Sequence, residues 1–344
     1  MTDSNRRHYD VAIIGAGTAG LSARREVAKH TDNYIVIDDG PLGTTCARVG
    51  CMPSKVLIEA ANRFAARQDL AKLGIKGGQD LVIDRAVVMK HVRSLRDRFV
   101  RGVTGDMASW QQTHLLRERA QFVDHKTLRV GHQTITADSI VIATGSSPLV
   151  PGGWQEHSSY LMTTDDFFEQ ENLPGKVAVI GLGVIGLELG QALHRLGVET
   201  YGIGLGKAMG GLSDPELQDY TVNAFAGEFP VVTTGVEKLT KRNGKLVVHT
   251  EEQEYEVDQA LLAMGRRPNL GGLGLENAVP SFDGRTIPGL DKGTHQIEGT
   301  RIFVAGDVNG ERPILHEAAD EGRIAGYNAV RETSQCFQRR TLLA

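Results

Sequence analysis

Residues 11–20 read VAIIGAGTAG, an apolar run that leads directly into three glycines spaced as GxGxxG. The pattern predicts a strand that ends in a tight turn at Gly15 and continues as a helix. Gly17 would let the backbone approach a pyrophosphate, and Gly20 would allow the helix to pack closely on the strand. This segment is typical of a Rossmann unit that binds a dinucleotide.

An acidic residue at the expected distance supports this interpretation. The apolar run 34–37 predicts a second strand, and Asp38 follows it, 23 residues after Gly15. A carboxylate at that place binds ribose hydroxyls, while N–H groups at the helix N-terminus bind the phosphates. A glycine-rich turn without a ligand is the alternative for a lone GxGxxG. The strand, the helix and the acid together favour dinucleotide binding.

The same fingerprint recurs later in the chain. Residues 176–180 predict another strand, and the sequence that follows is GLGVIG, with glycines at Gly181, Gly183 and Gly186. Two such units in one chain indicate two dinucleotides. The predicted fold class is therefore α/β, with two Rossmann-like domains.

The second unit differs from the first at the acidic position. A predicted strand over 198–203 is followed by Gly204, again 23 residues after the first glycine of its fingerprint. No carboxylate is present to bind the ribose diol or to repel a 2′-phosphate, so both NAD and NADP remain candidates. Lys207 is the nearby cation that would favour NADP, and a solvated loop lysine is the alternative for it.

The composition is that of an ordinary globular protein. The 344 residues, 40% hydrophobic and 23% charged, are enough for about two domains. The net charge of −4 gives no reason to expect nucleic-acid binding. Only three cysteines argue against a secreted disulfide scaffold. No segment resembles a signal peptide or approaches the roughly 20 apolar residues of a membrane span, so we predict a cytoplasmic protein.

Residues 42–55 read LGTTCARVGCMPSK and hold Cys46 and Cys51. Residues five apart on an α-helix are separated by about 7.5 Å along its axis, whereas bonded cysteines keep their Cα atoms within about 7 Å. A disulfide here would need a distorted turn, which Gly50 would permit. A redox pair and two unconnected structural thiols remain alternatives. Structural zinc fits less well because it usually takes four ligands, so no metal is predicted.

The rest of the chain adds strands and two crossings between the domains. Residues 114–142 alternate in hydrophobicity and carry β-branched side chains, as strands do. Residues 146–153 and 266–269 are rich in turn-forming or polar residues and are interpreted as the crossings. Residues 301–307 predict a strand that ends in an acid, and residues 316–330 predict a helix with small residues on one face.

Six motifs occur in the order found in one family of flavoproteins. The set resembles the pyridine nucleotide-disulfide oxidoreductases, the family of dihydrolipoamide dehydrogenase, mercuric reductase and glutathione reductase. The resemblance runs from about residue 8 to residue 330, and Pro-Ser-Lys after the second cysteine is more like the first two enzymes. The motifs are Gly15–Gly20, Cys46–Lys55, Ala143–Gly145, Gly181–Glu188, Gly265–Asn269 and Gly306–Asp307.

The resemblance implies FAD together with NAD or NADP as cofactors. The first fingerprint would hold the ADP half of FAD, Asp307 would contact its ribityl chain, and the second fingerprint would hold NAD(P)H. The implied cofactor-binding residues are Gly15, Gly17, Gly20, Asp38, Thr45, Lys55, Ala120, Ala143, Thr144, Gly145, Asp307, Gly181, Gly183, Ile185, Gly186, Glu188, Gly204 and Gly265.

The resemblance also implies four catalytic residues, Cys46, Cys51, Lys55 and Glu188. A dithiol substrate would attack Cys46 through a mixed disulfide, and Cys51 would be released as a thiolate that passes the electron pair to the flavin. The flavin would deliver hydride to NAD⁺, tuned by a Lys55–Glu188 pair. The implied function is an FAD-dependent dithiol/disulfide oxidoreductase like dihydrolipoamide dehydrogenase. A mercuric or other disulfide reductase of the family, and a flavin-binding redox module without turnover, are the alternatives.

The family pattern further implies a domain organisation and partners. An FAD domain of residues 1–148 and 270–330 would surround an NAD(P) domain of residues 149–269. The family's interface domain, which forms a homodimer, would start in the tail 331–344, so a dimer is expected only of a longer relative. The expected partner is a lipoyl-like dithiol or disulfide, either a small molecule or bound to a protein, with no nucleic acid and no membrane span.

The chain departs from the family pattern near the first cysteine. Thr44 stands where the family usually has glycine, and Ala47 and Arg48 replace an apolar residue and an asparagine. These changes affect the loop that would face the substrate. His316 is interpreted as a packing or capping residue at a helix start and not as the family's catalytic histidine.

Overall fold

A computed structural model gives the structure of residues 6–339. The strands are β1 (Arg6–Ile14), β2 (Tyr34–Ile37), β3 (Leu115–Leu116), β4 (Ala120–Phe122), β5 (Thr127–Val130), β6 (Gln133–Ile142), β7 (Ser146–Pro148), β8 (Leu161–Met162), β9 (Lys176–Ile180), β10 (Glu199–Ile203), β11 (Val231–Val232), β12 (Lys238–Arg242), β13 (Lys245–His249), β14 (Glu254–Val257), β15 (Gln259–Leu262), β16 (Arg266–Pro268) and β17 (Ile302–Val304). The helices are α1 (Thr18–Val27), α2 (Thr45–Val49), α3 (Cys51–Ala65), α4 (Arg85–Met107), α5 (Gln111–His114), α6 (Thr164–Phe167), α7 (Val184–Arg195), α8 (Pro215–Ala226) and α9 (Leu315–Ala329), with short 3₁₀ turns between them. No helix in this range is long and apolar enough to cross a membrane.

The structure confirms most of the predicted elements, with small changes at their ends. β2 and β9 occupy the predicted ranges, and β10 begins one residue later than predicted. The predicted helix over 316–330 is α9, shifted by one residue at each end. The predicted strand over 301–307 is shorter than expected. Its last part turns at Gly306, whose φ of +80° is incompatible with a strand.

The chain forms two compact units, of which the first contains the first fingerprint. This unit comprises the described residues up to Cys46, Val100–Ser147 and those from Arg267 onward. Its sheet has the order β3-β2-β1-β6-β5-β4, and β17 pairs with β6. β1, β2, β6 and β17 run parallel. The apolar character of these strands on both faces is typical of parallel strands that are covered on both sides.

The register of the first sheet aligns the carboxyl ends of four strands. Ile14 pairs with Ile37 and with Ile142, and Ile142 pairs in turn with Val304. Residues that follow these strands therefore emerge at one edge of the sheet, where α/β folds bind their ligands. They are Gly15, Asp38, Ala143 and the segment 305–307, all of them in or beside the predicted motifs.

Small residues allow α1 and α9 to approach each other closely on one face of this sheet. A Cβ atom on Gly322 would lie 2.1 Å from the carbonyl oxygen of Ala19, and one on Gly326 would lie 2.5 Å from that of Ala23. The two backbones are therefore in direct contact. This explains the small-residue face of the predicted helix.

The second compact unit comprises Ala47–Phe99 and Pro148–Arg266. Its five-stranded sheet has the order β11-β10-β9-β15-β8 and is parallel throughout. Ile180 pairs with Ile203 and with Leu262, so the residues after β9, β10 and β15 share one edge. A separate antiparallel sheet, β12-β13-β14, belongs to the same unit.

The helix that follows the cysteine segment belongs to the second unit. Leu57 and Ala61 of α3 share a buried apolar cluster with Leu189 and Leu193 of α7. Packing therefore divides the span 1–148, which the sequence analysis assigned to one domain, at Ala47 and again after Phe99. The assignment of FAD and NAD(P) to sequence ranges stays a prediction.

We predict that Gly322→Ala lowers the stability of the protein, because the added methyl group would overlap the backbone of α1. Overpacking of this kind typically costs about 1–3 kcal/mol of the free energy of unfolding, and urea unfolding would measure it. Gly102→Ala in α4 is the matched control, since nothing lies within 4 Å of its Cβ position. That change should stabilise the helix by about 0.5–1 kcal/mol. An unchanged unfolding midpoint for Gly322→Ala would contradict the close contact of α1 and α9.

Candidate functional site

The turn at Gly15 joins the end of β1 to α1 and leaves no room for a side chain. Gly15 has a φ of +109°, and a Cβ atom there would lie 2.2 Å from the carbonyl oxygen of Ala143. A Cβ atom on Gly20 would lie 1.8 Å from the carbonyl oxygen of Gly15. The first and third glycines of the fingerprint thus hold the start of α1 against the edge of the sheet.

Gly17, by contrast, borders open space. It is the N-cap residue of α1, and no heavy atom of the described chain lies within 4 Å of its Cβ position. No side chain among residues 6–339 caps this helix. The first N–H groups of α1 lack intrahelical partners, and a helix N-terminus of this kind binds phosphate. The residues therefore fit a dinucleotide whose pyrophosphate lies over Gly17.

Asp38 lies beside this turn, as the sequence predicts. Its Oδ2 accepts the Ala16 N–H at 2.6 Å, and its Oδ1 accepts the Gly40 N–H at 2.9 Å. Burial raises the pKa of Asp38, although both N–H donors and the guanidinium of Arg117 at 3.8 Å oppose the rise. The carboxylate keeps lone pairs that can accept ribose hydroxyls. Arg117 was not predicted from the sequence, because it lies 79 residues from Asp38 and belongs to no motif.

The turn after β6 is held by an asparagine from the second predicted crossing. Thr144 Oγ1 donates to the carbonyl of Asn269 at 2.8 Å, and Asn269 Nδ2 donates to the carbonyl of Thr144 at 2.9 Å. The Asn269 N–H donates to the carbonyl of Gly145 at 2.9 Å. The structure therefore brings the Ala143–Gly145 and Gly265–Asn269 motifs together at Asn269.

Asp307 follows β17 at the same edge of the first sheet. Gly306, with its φ of +80°, approaches α1 so closely that a Cβ atom would lie 2.9 Å from the Cβ of Ala19. Asp307 Oδ2 accepts the hydroxyl of Ser146 at 2.7 Å. The predicted ligand of the ribityl chain is thus oriented by the hydroxyl of the first residue of the first predicted crossing.

A buried carboxylate accepts hydrogen bonds from the Gly306 turn. Glu321 of α9 is 1% exposed, and its Oε2 accepts the Gly306 N–H at 2.7 Å and the Asn309 side-chain amide at 2.8 Å. Burial raises the pKa of Glu321 to about 7. Glu321 was not predicted from the sequence. A glutamate on the small-residue face of the predicted helix is unusual enough to have indicated a buried functional carboxylate.

Ala120, another predicted cofactor residue, is a core residue in the structure. It lies in β4 opposite Val130 of β5 and is 3% exposed. Its side chain belongs to the apolar cluster on one face of the first sheet. Any contact of Ala120 with a cofactor would therefore involve its backbone, and its role stays a prediction.

The second fingerprint repeats the construction of the first within the second unit. A Cβ atom on Gly181 would lie 2.4 Å from the carbonyl oxygen of Ala263, and one on Gly186 would lie 1.8 Å from that of Gly181. Gly183 is the N-cap of α7, and no heavy atom of residues 6–339 lies within 4 Å of its Cβ position. These residues fit a second dinucleotide. Ile185, in the first turn of α7, is 42% exposed.

The other predicted nucleotide residues of this unit are glycines at the same sheet edge or beyond it. The Gly204 N–H donates to the carbonyl of Val232 at 2.8 Å. Gly265 has a φ of +99°. Lys207 Nζ contacts Asp219 Oδ1 at 2.8 Å, and both side chains are exposed. This ion pair favours the loop-lysine interpretation of Lys207, and both NAD and NADP remain candidates.

Lys55 and Glu188, which the resemblance pairs, are brought together by the packing of α3 on α7. Lys55 Nζ lies 2.5 Å from Glu188 Oε1. The side chains are 59% and 35% exposed, respectively. An ion pair this exposed contributes at most about 1 kcal/mol to stability. The pair therefore contributes little to the stability of the fold. Its exposure leaves both charges accessible to a ligand.

The cysteine segment is a helix broken at one residue. Cys46 is half-buried in α2, and Cys51 is exposed at the first position of α3. Between the helices, Gly50 has φ −127° and ψ −126°, which is neither helical nor extended. The distorted turn that a disulfide would need is therefore present, although the pairing of the cysteines stays a prediction. Thr44, at the position where the family has glycine, has a φ of +62°.

Sequence comparison identifies the family. Residues 9–322 match the family described as pyridine nucleotide-disulphide oxidoreductase. The chain belongs to this family. Members of the pyridine nucleotide-disulphide oxidoreductases bind FAD and NAD(P), which the two N-termini at Gly17 and Gly183 fit.

Relatives of known name agree with this membership. The chain is 31% identical to a mercuric reductase of Staphylococcus aureus over 328 residues, covering 94% of this chain and 60% of that protein. It is 30% identical to a dihydrolipoyl dehydrogenase of the same species over 326 residues, covering 92% and 69%, respectively. The chain thus spans less than two thirds of that mercuric reductase.

Solved structures show the same fold. The HOCl-induced flavoprotein disulfide reductase RclA from Escherichia coli superposes with a TM-score of 0.80, at 21% identity, over 95% of this chain and 72% of that one. Its Cu(II) complex gives a TM-score of 0.79 at 20% identity. The predicted α/β class with two Rossmann-like units is therefore confirmed.

The open positions at Gly17 and Gly183 allow a reciprocal test. We expect Gly17→Val and Gly183→Val to fold, because nothing occupies either Cβ position, but each side chain would block one pyrophosphate. Gly17→Val should purify without flavin. Gly183→Val should keep its flavin and weaken NADH or NADPH binding by about tenfold or more, the effect of roughly 1.4 kcal/mol of overlap. Flavin absorbance and a fluorescence titration measure both, and loss of the same cofactor in both variants would contradict two separate sites.

Glu321→Gln should change the pH dependence of stability. The pKa of Glu321 is about 7 in the folded chain and 4.5 ordinarily, so the folded protein keeps a proton that the unfolded chain loses above pH 4.5. The stability gained from that proton is complete below pH 4.5 and is lost as the pH rises through about 7, at about 1.4 kcal/mol per pH unit.

Urea unfolding across this pH range measures the effect. The free energy of unfolding of Glu321→Gln minus that of the wild type should rise with pH at this slope. The same substitution at the exposed Glu251 is the control. A difference that does not vary with pH would contradict the burial of a titrating carboxyl group at Glu321.

Proposed function

We propose that the chain is an FAD-dependent dithiol/disulfide oxidoreductase of the dihydrolipoyl dehydrogenase type, with Cys46 and Cys51 as its redox pair. One observation carries the proposal. The helix that starts at Cys51 also bears Lys55, which contacts Glu188 on the helix of the second nucleotide fingerprint. A cysteine, a charge pair and a nucleotide-binding helix are thereby linked within one compact unit.

The position of Cys51 favours its thiolate. Cys51 is the first residue of α3, where the positive end of the helix dipole stabilises a negatively charged sulfur. Cys51 is also exposed. We assign to Cys51 the thiolate that passes electrons on, and to Cys46 the sulfur that a substrate thiolate attacks.

The exchange balances at the two cysteines. The exchange starts from the oxidised pair, a Cys46–Cys51 disulfide. A substrate thiolate attacks Cys46, breaks that S–S bond, forms a mixed disulfide and releases the Cys51 thiolate; the second substrate thiolate then displaces Cys46. The substrate dithiol is oxidised to a disulfide, and the cysteine disulfide is reduced to two thiols, with two electrons transferred in all. When bound, FAD supplies the two-electron carrier that connects this reduced pair with NAD(P)⁺.

The residues of the first unit are assigned to FAD and those of the second fingerprint to NAD(P)H. Gly15, Gly17 and Gly20 would hold the pyrophosphate, Asp38 the adenosine ribose and Asp307 the ribityl chain. Thr45 and the Ala143–Gly145 turn are assigned to the flavin, as the family resemblance implies. Within the second unit, the Lys55 ammonium, oriented by Glu188, is assigned to tuning the flavin. Gly181, Gly183 and Gly186 would hold the second pyrophosphate. The predicted cytoplasmic location and lipoyl-like partner stay predictions.

Reduction of Hg(II) is the second candidate function. It is favoured by the 31% identity to the mercuric reductase of Staphylococcus aureus, slightly above the 30% to the dihydrolipoyl dehydrogenase. The two functions differ in a simple assay. Dihydrolipoamide-dependent reduction of NAD⁺ or NADP⁺ supports the first, whereas Hg(II)-dependent oxidation of NADPH or NADH in excess thiol supports the second. NAD(P)H-to-dye transfer without either would support a flavin-binding redox module.

Cys51→Ser should abolish dithiol oxidation and spare electron transfer from NAD(P)H to a dye, because only the first reaction passes through the cysteine pair. Steady-state assays with dihydrolipoamide and with a quinone or dye measure the two activities. Cys336→Ser makes the same chemical change at the exposed third cysteine and should leave both activities unchanged. Full dithiol oxidation by Cys51→Ser would overturn the assignment of the redox pair.

A further inference from the structure

The segment after α9 folds back on its own helix. We call residues 331–339 the strap. The Gln335 N–H donates to Asn328 Oδ1 at 2.9 Å, and Asn328 Nδ2 donates back to the Gln335 carbonyl at 3.0 Å. The Phe337 N–H donates to the Gly293 carbonyl at 2.9 Å, and its ring lies edge-on to Tyr327 with centroids 5.2 Å apart. Asn328 is fully buried, so the strap is docked by specific contacts.

Arg339, at the end of the strap, reaches a pair of buried carboxylates. Its guanidinium contacts Glu317 directly and lies 2.5 Å from Glu321 Oε1. Glu317 and Glu321 are 5% and 1% exposed and stand one helical turn apart on α9. Once Glu321 is ionised, above about pH 7, the two carboxylates at this spacing repel each other, and burial strengthens the repulsion. The guanidinium that bridges them offsets this repulsion.

Other charges surround the pair but contact Glu321 less directly. Arg312 lies 3.4 Å from Glu317 on the side of the loop before α9. Glu311 lies 3.9 Å from Arg339 and is itself paired with Lys292 at 2.8 Å. Among the ion pairs of the described chain, Arg339 is the cation on Glu321.

Glu321 connects this cation to the turn assigned to the flavin. Its Oε1 contacts Arg339, while its Oε2 accepts the Gly306 N–H and the Asn309 amide. Asp307 follows Gly306 directly and is the residue proposed to bind the ribityl chain. A single carboxylate therefore holds the strap with one oxygen and the Gly306–Asp307 turn with the other.

We propose that Arg339 is a positioning residue that couples docking of the strap to FAD binding, through Glu321 and the Gly306–Asp307 turn. This inference rests on the proposed assignment of Asp307 to FAD. Since coupling between two binding events is reciprocal, a docked strap strengthens FAD binding, and bound FAD strengthens docking of the strap.

The test compares Arg339→Gln with Arg331→Gln in the full chain. Arg331 also lies in the strap but donates to the Tyr327 carbonyl at 2.6 Å and stacks on the ring of that residue. We expect Arg339→Gln to raise the Kd for FAD by about tenfold, within the usual range of coupling between sites. Arg331→Gln should leave the Kd within about twofold of the wild type, and Arg339→Lys should recover part of the affinity.

Hydrogen exchange of the strap amides gives the reciprocal readout. In the wild type, added FAD should slow exchange at Gln335 and Phe337, whose N–H groups donate in the docked strap. In Arg339→Gln this protection should be lost. The coupling would be overturned if Arg339→Gln bound FAD with the same Kd as the wild type. It would also be overturned if FAD did not change the rate of amide hydrogen exchange in the wild-type strap.

The experiment also separates this inference from the proposed reaction. It measures binding of FAD and not turnover. FAD binding with the expected coupling but without dithiol oxidation would overturn the proposed function alone. A wild-type chain that binds no FAD would overturn both the coupling and the cofactor assignment.

Discussion

At each GxGxxG turn, backbone packs directly against backbone, and the ligand edge of each sheet is built around this contact. At Gly15 and Gly20, and again at Gly181 and Gly186, a single methyl group would fall within 2.4 Å of a carbonyl oxygen. This contact holds the first turn of each helix against the carboxyl edge of its sheet. The middle glycine of each fingerprint is left beside open space, where a phosphate has access to N–H donors.

The register of the parallel strands converts this local contact into a site. Because Ile14, Ile37, Ile142 and Val304 are aligned across the first sheet, motifs separated by almost three hundred residues emerge at one edge. Charged side chains then add ion pairs and hydrogen bonds, which glycine has no side chain to make. The Lys55–Glu188 pair is exposed and contributes little to stability, whereas Glu321 is buried beneath Gly306 and titrates near neutral pH. The exposed pair is suited to act on a ligand, and the buried group is suited to hold a turn.

Sequence reasoning predicted the features whose residues are close in the chain. The spacing of Gly15, Gly20 and Asp38 predicts a strand, a turn and a second strand. The geometry of the turn follows from the absence of side chains at its glycines. It failed for single charged side chains that lie in no motif, such as Arg117 beside Asp38 or Arg339 on Glu321. The packing of α3 on α7 was not predicted either, because it depends on apolar side chains that any core helix would carry. Neither pattern nor propensity identifies the partner of such a helix.

Whether one chain connects a cysteine pair to two nucleotide sites can be decided by a single-turnover experiment. Flavin-loaded protein without oxygen would receive one equivalent of dihydrolipoamide and then excess NAD⁺ or NADP⁺. We expect close to one equivalent of reduced nicotinamide nucleotide from the wild type and none from Cys51→Ser. Reduced nucleotide from both proteins, or from neither although NAD(P)H bleaches the flavin, would contradict this connection.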